Sequence, residues 1–391
     1  MTRVLLLVPT STYRAPDFVA AAKSLGIELV VGADDATVLG DGDRMVAVPL
    51  SDTDAALETI DALDRRRGVD AVVAVDDRGV VVAAEVGARL GFPHSPPDAV
   101  AATRDKTEMR RRLAAGEVPQ PRFGTTAGQV GFPLVVKPTG LSGSQGVIRC
   151  NTPEELDAAR SRIAGYWDGP LILEEYIPGV EVALEGLLRD GALEVLAVFD
   201  KPDALEGPYF EETIFTTPSR LPGEIIAAVT RTTADACAAL GLREGPVHAE
   251  LRVHGGHVWM LELAARSIGG LCSRSLRFGV GVSLEEVILR HALGLPLGDL
   301  RREAAASGVM MLPIPRAGVL REVRGQADAR AVPGIGGLEI SIGHDRPVRP
   351  LPEGDRYLGF LFARGETPEQ VERTLRTAHG QLEIVIGEPS E

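Results

Sequence analysis

Apolar runs alternate with amphipathic segments over the first hundred residues of the chain. The runs are apolar at nearly every position, which is typical of strands buried on both faces of a sheet. The segments between them have the spacing and the terminal glycines of helices. The predicted strands are 3–9, 27–34 and 70–77, and the predicted helices are 17–26, 54–68 and 78–91. This succession predicts a parallel sheet with helices on both faces.

The proline-rich stretch GFPHSPPDAV (91–100) predicts the end of this first unit. Later predicted elements are a helix from about 103 to 115, a small α+β unit at 120–190, a helix at 222–241, a β pair at 247–263, and helices at 283–293 and 367–382. The fold class is therefore α/β and α+β multidomain. The predicted domains are 1–98, 99–190, 191–305 and 306–391.

Composition argues against several classes of function. The 391 residues carry a formal net charge of −14, which argues against binding nucleic acid or an anionic membrane. The N-terminal apolar run, Val4 to Pro9, is too short for a signal-peptide core, and no later run is long enough to span a membrane. Three widely spaced cysteines (Cys150, Cys237, Cys272) predict neither a metal cluster nor disulfides. We expect a cytoplasmic protein that binds anions through local cations or a metal ion.

Lysine is scarce, with four lysines against 37 arginines. A lysine that remains in such a sequence is a candidate for a role that needs a compact ammonium group. Two of the four, Lys106 and Lys137, flank the glycine-rich segment GLSGSQG (140–146). A β-hairpin turn is the commoner use of such a segment, but amides free of side chains also form an anion-binding concavity. Both interpretations remain open on the residues alone.

Acidic residues interrupt the apolar strand in LILEEYIPGVEV (171–182). Strand alternation alone does not explain the adjacent Glu174 and Glu175, followed by a turn and Glu181. One interpretation is an exposed strand end. The other is a nucleotide-binding edge, in which the extended backbone pairs with adenine and Glu181 accepts hydrogen bonds from the ribose hydroxyls.

A second acidic pair, Glu250 and Glu262, lies in two apolar runs separated by Gly255-Gly256. Strand alternation and a tight hairpin would place the two carboxylates opposite each other. Facing carboxylates repel unless a cation lies between them, and oxygen ligands favour Mg²⁺ shared with nucleotide phosphates. The alternative is a solvated sheet face. Arg266, four residues after Glu262, would fork onto a carboxylate or a phosphate.

In this order, the motifs resemble the ATP-grasp superfamily over roughly residues 1 to 300. They are a lysine before the small unit, VVKP with a Gly/Ser loop, EEYIPGVEV, and two separated glutamates followed by an arginine. The C-terminal segments GVMMLPIPRAGVLREVRG and AVPGIGGLEISI resemble the C-terminal domain of the L-amino-acid ligase group. That resemblance implies an ATP-grasp fold, preceded by the N-terminal α/β domain, and an ATP-dependent carbon–nitrogen ligase.

The resemblance also implies roles for individual residues. Lys106 and Lys137 would contact the phosphates of ATP, and Arg266 would steady an acyl phosphate or a substrate carboxylate. The implied ATP-binding residues are Lys106, Lys137, Ser142, Gly143, Ser144, Gly146, Glu174, Glu175, Ile177 and Glu181. The implied metal ligands are Glu250 and Glu262, and the implied substrate-binding residues are Glu212, Arg266, Gly269 and Gly270. Arg266 and Lys137 would be catalytic.

The implied cofactors are ATP and Mg²⁺, with Mn²⁺ as a substitute, and the implied partners are small carboxylate and amine substrates and a second copy of the chain. Ala264 departs from the family pattern, because many ATP-grasp enzymes have asparagine there as a further ligand of the second metal. Two alternatives stay open. One is a ligase that uses bicarbonate or a ribotide, and the other is a non-catalytic nucleotide-binding module. His248, His254 and His257 lack metal spacing and are interpreted as structural.

Overall fold

The computed structural model describes residues 2–9, 12–35 and 44–388. The N-terminal unit is a four-stranded parallel sheet in the order β3-β2-β1-β4 with helices packed against it. Its elements are β1 (Arg3–Leu7), α1 (Ala15–Leu25), β2 (Glu28–Ala33), β3 (Met45–Ala47), α2 (Thr53–Arg67), β4 (Ala71–Ala74) and α3 (Val80–Leu90). In β1, Val4 and Leu6 pack with Phe18, whereas Leu5 packs with Ile60 in another cluster. Both faces are therefore buried, which confirms the predicted parallel sheet.

The helix predicted over about 103–115 is wrong in its extent, because the structure has two helices there, α4 (Pro97–Arg104) and α5 (Lys106–Ala115). Asp105 separates them in an extended conformation, and its side chain accepts hydrogen bonds from the N–H groups of Thr107 (2.8 Å) and Glu108 (3.2 Å). This N-cap begins a new helix at Lys106. The proline-rich stretch also continues into α4, since proline suits a first helical turn.

A small antiparallel sheet follows, in the order β5-β8-β6-β7. Its elements are β5 (Phe123–Gly124), α6 (Ala127–Val130), β6 (Leu134–Pro138), β7 (Ile148–Cys150), α7 (Pro153–Ile163) and β8 (Leu171–Glu175). The glycine-rich segment joins β6 to β7, whose register pairs Leu134 with Cys150. It is thus a hairpin connection, as the simpler interpretation predicted, and its location decides whether it is also more than that.

The largest sheet has eight strands in the order β13-β12-β9-β10-β11-β14-β18-β16. Between residues 180 and 292, the elements are β9 (Val180–Arg189), β10 (Ala192–Lys201), β11 (Ile214–Thr217), α8 (Gly223–Leu240), β12 (Gly245–His254), β13 (His257–Ala264) and α9 (Leu284–Ala292). Gly255 and Gly256 have φ of 57° and 78° in the predicted hairpin between β12 and β13. Two successive positive φ angles favour glycine and give a turn that matches the strand twist.

The C-terminal residues complete this sheet and add a small one. Their elements are β14 (Ala306–Leu312), β15 (Gly318–Arg324), α10 (Gln326–Ala331), β16 (Ile335–Ile340), β17 (Pro347–Val348), β18 (Gly359–Gly365), α11 (Pro368–His379) and β19 (Glu383–Gly387). Strands β17, β15 and β19 form a three-stranded sheet. The large sheet continues across the predicted boundaries at 190 and 305, which remain predictions. Among the described helices, none has the length and apolar character that crossing a membrane requires.

Candidate active site

One cavity is bounded by the N-terminal sheet, the small sheet, the large sheet and the C-terminal segment 349–357. With one exception, the site residues predicted from the sequence line it. The exception is Gly146, whose N–H instead donates to the carbonyl of Pro352 (3.0 Å). The other predicted site residues, from positions 106 to 270, thus meet in one place, and their individual roles stay predictions.

Two buried lysines enter the cavity from different elements. Lys106 is the first residue of α5, and its Nζ donates to the carbonyl of Leu141 (2.6 Å) and lies 3.5 Å from a carboxylate oxygen of Glu262. Lys137 lies in β6, with its Nζ 2.7 Å from Glu174. The ammonium groups therefore border the glycine-rich loop and the acidic strand.

Glu174 is fully buried beneath the cavity and orients Lys137. Arg110, itself inaccessible to solvent, donates to both carboxylate oxygens of Glu174 at 2.7 and 3.0 Å. Burial raises the pKa of Glu174, but Arg110 and Lys137 outweigh it and lower the pKa to about 2. A carboxylate held this firmly keeps Lys137 in a fixed position. The predicted role of Glu174 in ATP binding stays a prediction.

The backbone after β8 runs along the cavity at Glu175 and Ile177. The N–H of Glu175 donates to the carbonyl of Arg122 (2.8 Å), and the carbonyl of Ile177 accepts from Arg252 (2.8 Å). The Glu175 side chain pairs with Arg122 at the surface. A planar ligand at this edge would therefore use the carbonyl of Glu175 and the N–H of Ile177.

Glu250 and Glu262 are opposite each other in the β12–β13 pair, as predicted from alternation. Each carboxylate faces a different cation, because Glu262 pairs with Lys106 and Glu250 lies 3.3 Å from the Nζ of Lys201. Burial raises the pKa of Glu250, but Lys201 and His248 have the larger effect and hold the pKa well below its usual value. The carboxylate is therefore ionised. Both carboxylates line the cavity.

Lys201, at the end of β10, is a residue that the sequence interpretation missed. Its buried Nζ contacts Glu181 (2.7 Å), Glu250 (3.3 Å) and Glu212. The three glutamates offer oxygens that lie within 4.8 Å of one another. Burial and the neighbouring Glu250 raise the pKa of Glu212, while the three carboxylates together hold Lys201 charged, with its pKa well above the usual value despite burial. The scarcity of lysine was the one signal that pointed to this residue.

His248 is also closer to the chemistry than its interpretation as a structural histidine suggested. Its Nδ1 lies 2.7 Å from the buried Glu185 and its Nε2 lies 3.5 Å from Glu250. Burial lowers the pKa of His248, but the hydrogen bonds to the two carboxylates raise it to about 9. His254 and His257 are the exposed ends of the hairpin.

Arg266 connects the site to the N-terminal sheet. Its guanidinium donates to Asp77 (2.8 Å), which also pairs with Arg104 (3.1 Å) and follows β4. Burial raises the pKa of Asp77, but the two arginines depress it strongly. The carboxyl ends of parallel strands are a common place for ligands in open α/β sheets, and Asp77 lies there. Arg266 is therefore a positioned cation.

The glycine-rich loop closes over the cavity and contacts the C-terminal segment. Gly143 and Ser144 have φ of 62° and 58°, a left-handed backbone that exposes loop amides. The side-chain amide of Gln145 donates to the carbonyl of Glu353 (3.0 Å). Arg162 of α7 forks onto the Glu353 carboxylate. The loop thus bridges the small sheet and the C-terminal segment above the two lysines.

The donor set suits a magnesium ion. Glu250 and Glu262 are the two carboxylates of the β12–β13 strand pair, and both line the cavity. Among the described lining residues, Cys272 is the one cysteine. Carboxylate oxygens are the ligands that Mg²⁺ prefers, whereas burial raises the pKa of the Cys272 thiol above its ordinary value and keeps it protonated. Ala264 offers no side-chain ligand.

Comparison with known proteins identifies the domains of the chain. Residues 130–275 match the ATP-grasp domain, residues 19–94 the ATP-grasp N-terminal domain, and residues 310–387 the L-amino acid ligase C-terminal domain 2. The chain thus carries ATP-grasp domains followed by an L-amino acid ligase C-terminal domain. The crystal structure of an L-amino acid ligase from Bacillus licheniformis superposes with a TM-score of 0.84 at 22% identity, covering 99% of both chains. The predicted fold class is confirmed.

Relatives with named activities are ligases. The chain is 31% identical over 266 residues to carnosine synthase 1 of Gallus gallus, covering 59% of this chain and 28% of the relative. It is 25% identical over 273 residues to an alanine–anticapsin ligase of Bacillus subtilis, covering 60% of this chain and 57% of the relative. The chain thus spans little more than half of the latter and about a quarter of the former. An ATP-dependent carbon–nitrogen ligase is consistent with these names.

Proposed function

We propose that this ATP-grasp protein joins the carboxylate of an amino acid, or a related acid, to an amine, with ATP converted to ADP and phosphate. The observation that carries the proposal is the meeting of Lys106, Lys137, Glu250, Glu262 and Arg266 around one cavity. Cations from α5, β6 and the segment after β13 face carboxylates from β12 and β13, which is the arrangement needed for a metal-bound triphosphate next to a second anion.

Nucleotide binding would use both the edge and the cations of the cavity. The carbonyl of Glu175 and the N–H of Ile177 would pair with the adenine edge, since their neighbouring groups are already engaged. Lys106 and Lys137 would neutralise the phosphates, and the amides at Ser142, Gly143 and Ser144 would close over them. Glu181 would turn from Lys201 to the ribose hydroxyls.

Glu250 and Glu262 would hold magnesium, which would neutralise phosphate charge when bound. Lys106 would then exchange Glu262 for a phosphate oxygen. Lys201 would remain near Glu250 and Glu212, and Glu212 is suited to bind the amino group of the acid substrate.

The reaction would proceed through an acyl phosphate. A carboxylate oxygen attacks the γ-phosphorus, and the bond to ADP breaks. The amine nitrogen then attacks the acyl carbon, phosphate leaves, and the nitrogen loses a proton. Arg266, positioned by Asp77, would hold the charge on the transferred group. The loop contact to the C-terminal segment would exclude water, which would otherwise hydrolyse the intermediate.

The test is a matrix of amino acids and amines screened with MgATP for phosphate release, followed by mass analysis of the products. An acid labelled with ¹⁸O in its carboxylate should transfer one labelled oxygen to phosphate. Lys137→Ala should lower the rate on the order of 10²- to 10³-fold, as for other lost transition-state donors. Lys23→Ala, at an exposed position on α1, is the matched control and should not change it.

Two other functions give different results in the same matrix. If phosphate release depends on bicarbonate or a ribotide rather than on an amine, the protein is a ligase that uses that other substrate. Nucleotide binding without release under any condition would indicate a binding module. The match of residues 310–387 to the ligase C-terminal domain favours the amine acceptor. A homodimer and a cytoplasmic location remain part of the proposal, to be tested by light scattering and fractionation.

A further inference from the structure

Arg14 is a buried cation in the cavity wall that the reaction described above does not use. It is 4% exposed and lies between the N-terminal sheet and the segment after β13. Its guanidinium donates to the carbonyl of Val75 (2.7 Å) and to the hydroxyl of Ser267 (2.8 Å). Both acceptors are neutral. Within the described residues, no carboxylate completes an ion pair with it.

The donors of Arg14 are not all satisfied. A guanidinium has five N–H groups, and the Nε of Arg14 is buried without a hydrogen-bond partner among the described residues. A buried charge without a counterion costs free energy, and so does a buried donor without an acceptor. The other buried arginines of the cavity differ, since Arg266 pairs with Asp77 and Arg252 with Glu181. Among the described residues, Arg14 therefore lacks the carboxylate partner that Arg266 and Arg252 each have.

The surroundings of Arg14 also favour a negative ligand. Tyr13 lines the same wall, and burial together with the nearby Cys272 raises its pKa to about 12, so that its hydroxyl remains a donor. Helix α1 begins at the next residue, Ala15, and Arg14 caps it without a side-chain hydrogen bond. The positive end of an eleven-residue helix thus lies at the wall as well. The Tyr13 hydroxyl, the Arg14 guanidinium and the start of α1 at Ala15 are thus three features of positive or donor character at consecutive residues.

The location of Arg14 indicates which anion it would take. The proposed phosphate ligands come from α5, β6 and the glycine-rich loop, whereas Arg14 contacts Ser267, just before the substrate-wall residues Gly269 and Gly270. The lining there includes the apolar Ile268 and Met311, and it also includes Asp76, which follows Val75. A planar carboxylate matches the paired N–H groups of a guanidinium, a fit that the compact ammonium of a lysine does not offer.

Resting on the proposed function, we propose that Arg14 binds a carboxylate of an amino-acid substrate and so makes the protein select free acids over the corresponding amides. The carboxylate is either the one that becomes phosphorylated or the second carboxylate, carried by the amine substrate. The chemistry is the same in both cases, and the experiment separates them.

The first experiment measures binding without turnover. Each of the twenty proteinogenic L-amino acids and its C-terminal amide is titrated into the full chain with ADP and Mg²⁺, using calorimetry. We expect at least one acid to bind more tightly than its amide. Arg14→Gln should weaken binding of that acid about 10- to 100-fold, the range for a lost hydrogen bond to a charged group, and leave binding of the amide unchanged. Arg14→Lys should recover part of the loss.

Arg274→Gln is the matched control. Arg274 also ties α1 to the segment after β13, through Asp17 (2.9 Å), but does not line the cavity. It should leave the preference for acids unchanged. If Arg14 only braces the two units, Arg14→Gln will weaken acids and amides alike, and the proposal is wrong. It is also wrong if no acid binds wild type more tightly than its amide, a comparison that requires no variant to fold.

The second experiment identifies the source of the carboxylate with whatever acid and amine the matrix reveals. Suppose that Arg14 holds the second carboxylate. Wild type will then use the C-terminal amide of the amine substrate with a higher KM than the free acid form, and Arg14→Gln will abolish this difference between the two KM values. If Arg14 instead holds the reacting carboxylate, the amide of the acid substrate will inhibit wild type with a Ki well above the KM of the acid, and Arg14→Gln will abolish that difference by raising the KM of the acid. A chain that binds acids through Arg14 but forms no amide with any pair would refute the proposed ligase and leave this inference standing.

Discussion

Replacing Lys201 by methionine tests the most concentrated charge cluster of the site. Methionine keeps most of the side-chain length and removes the ammonium group that lies among Glu181, Glu212 and Glu250. Three buried or half-buried carboxylates would then face one another without their cation. The folded state should lose stability because the negative charges repel and remain partly desolvated.

The magnitude follows from the distances. At an effective dielectric constant of 20, the contacts of Nζ at 2.7 Å and 3.3 Å are each favourable by roughly 5 to 6 kcal/mol before desolvation is counted. Burying the ammonium group offsets several kcal/mol of this, so that breaking such a cluster costs about 3–5 kcal/mol net. For a chain of this length, the corresponding fall in melting temperature is about 4–6 °C.

The assay is chemical denaturation of wild type, Lys201→Met, Glu212→Gln and the double variant, analysed as a double-mutant cycle. Adding Glu212→Gln to Lys201→Met should restore part of the stability, because it removes an acidic group that is otherwise either an uncompensated charge or has to take up a proton, its pKa being raised to about 8 by burial and Glu250. Lys23→Met, at an exposed position of α1, is the control and should change stability by less than about 0.5 kcal/mol. A loss below about 1 kcal/mol in Lys201→Met, or a double variant less stable than it, would refute the reasoning.

Two predictions concern the glycine-rich loop and its contact with the C-terminal segment. Gly146→Ala would place a Cβ 2.6 Å from Pro138 at a φ of 72°. The KM for ATP should therefore rise on the order of 10-fold in a steady-state assay. The rise should be smaller in Gly143→Ala, where a Cβ meets nothing within 4 Å. Arg162→Ala removes the fork onto Glu353, so phosphate released per amide formed should rise several-fold as water reaches the intermediate, and an unchanged ratio would mean that this contact does not close the site.

Patterns that act within a few residues account for most of what could be predicted. Apolar runs identified the parallel sheet, and strand alternation with Gly255-Gly256 correctly placed Glu250 opposite Glu262. A local signal was also overlooked, since Asp105 three residues before Glu108 is a typical helix start and separates α4 from α5.

Contacts between distant segments could not be predicted, because no local pattern specifies them. Arg110 meets Glu174 across 64 positions, and Arg14 meets Ser267 across 253. Lys201 was visible as a rare residue, but its three partners come from β9, the segment after β10, and β12. The sequence motifs therefore locate the groups that face a ligand better than the groups that hold them in place.

Glu174 and Glu175 provide a test of that distinction within two adjacent residues. Glu174 is fully buried between Arg110 and Lys137, whereas Glu175 pairs with Arg122 at the surface. Burial raises the pKa of Glu174, but the two cations lower it from 4.5 to about 2. Since the pKa is depressed in the folded state, its contribution of about 3 kcal/mol is present above pH 4.5 and is lost as the pH falls toward 2.

Glu174→Gln should therefore destabilise the protein by about 3 kcal/mol or more at pH 7, since it also leaves Arg110 buried without its carboxylate. Denaturant titrations between pH 7 and pH 3 should show the gap to wild type narrowing below pH 4.5, because the unfolded wild-type chain then binds a proton at Glu174 that the folded chain does not bind until the pH approaches 2. Glu175→Gln should cost less than about 1 kcal/mol, as for an exposed pair. Equal effects of the two substitutions, or a gap that widens in acid, would show that Glu174 does not hold Lys137 in the way its contacts indicate.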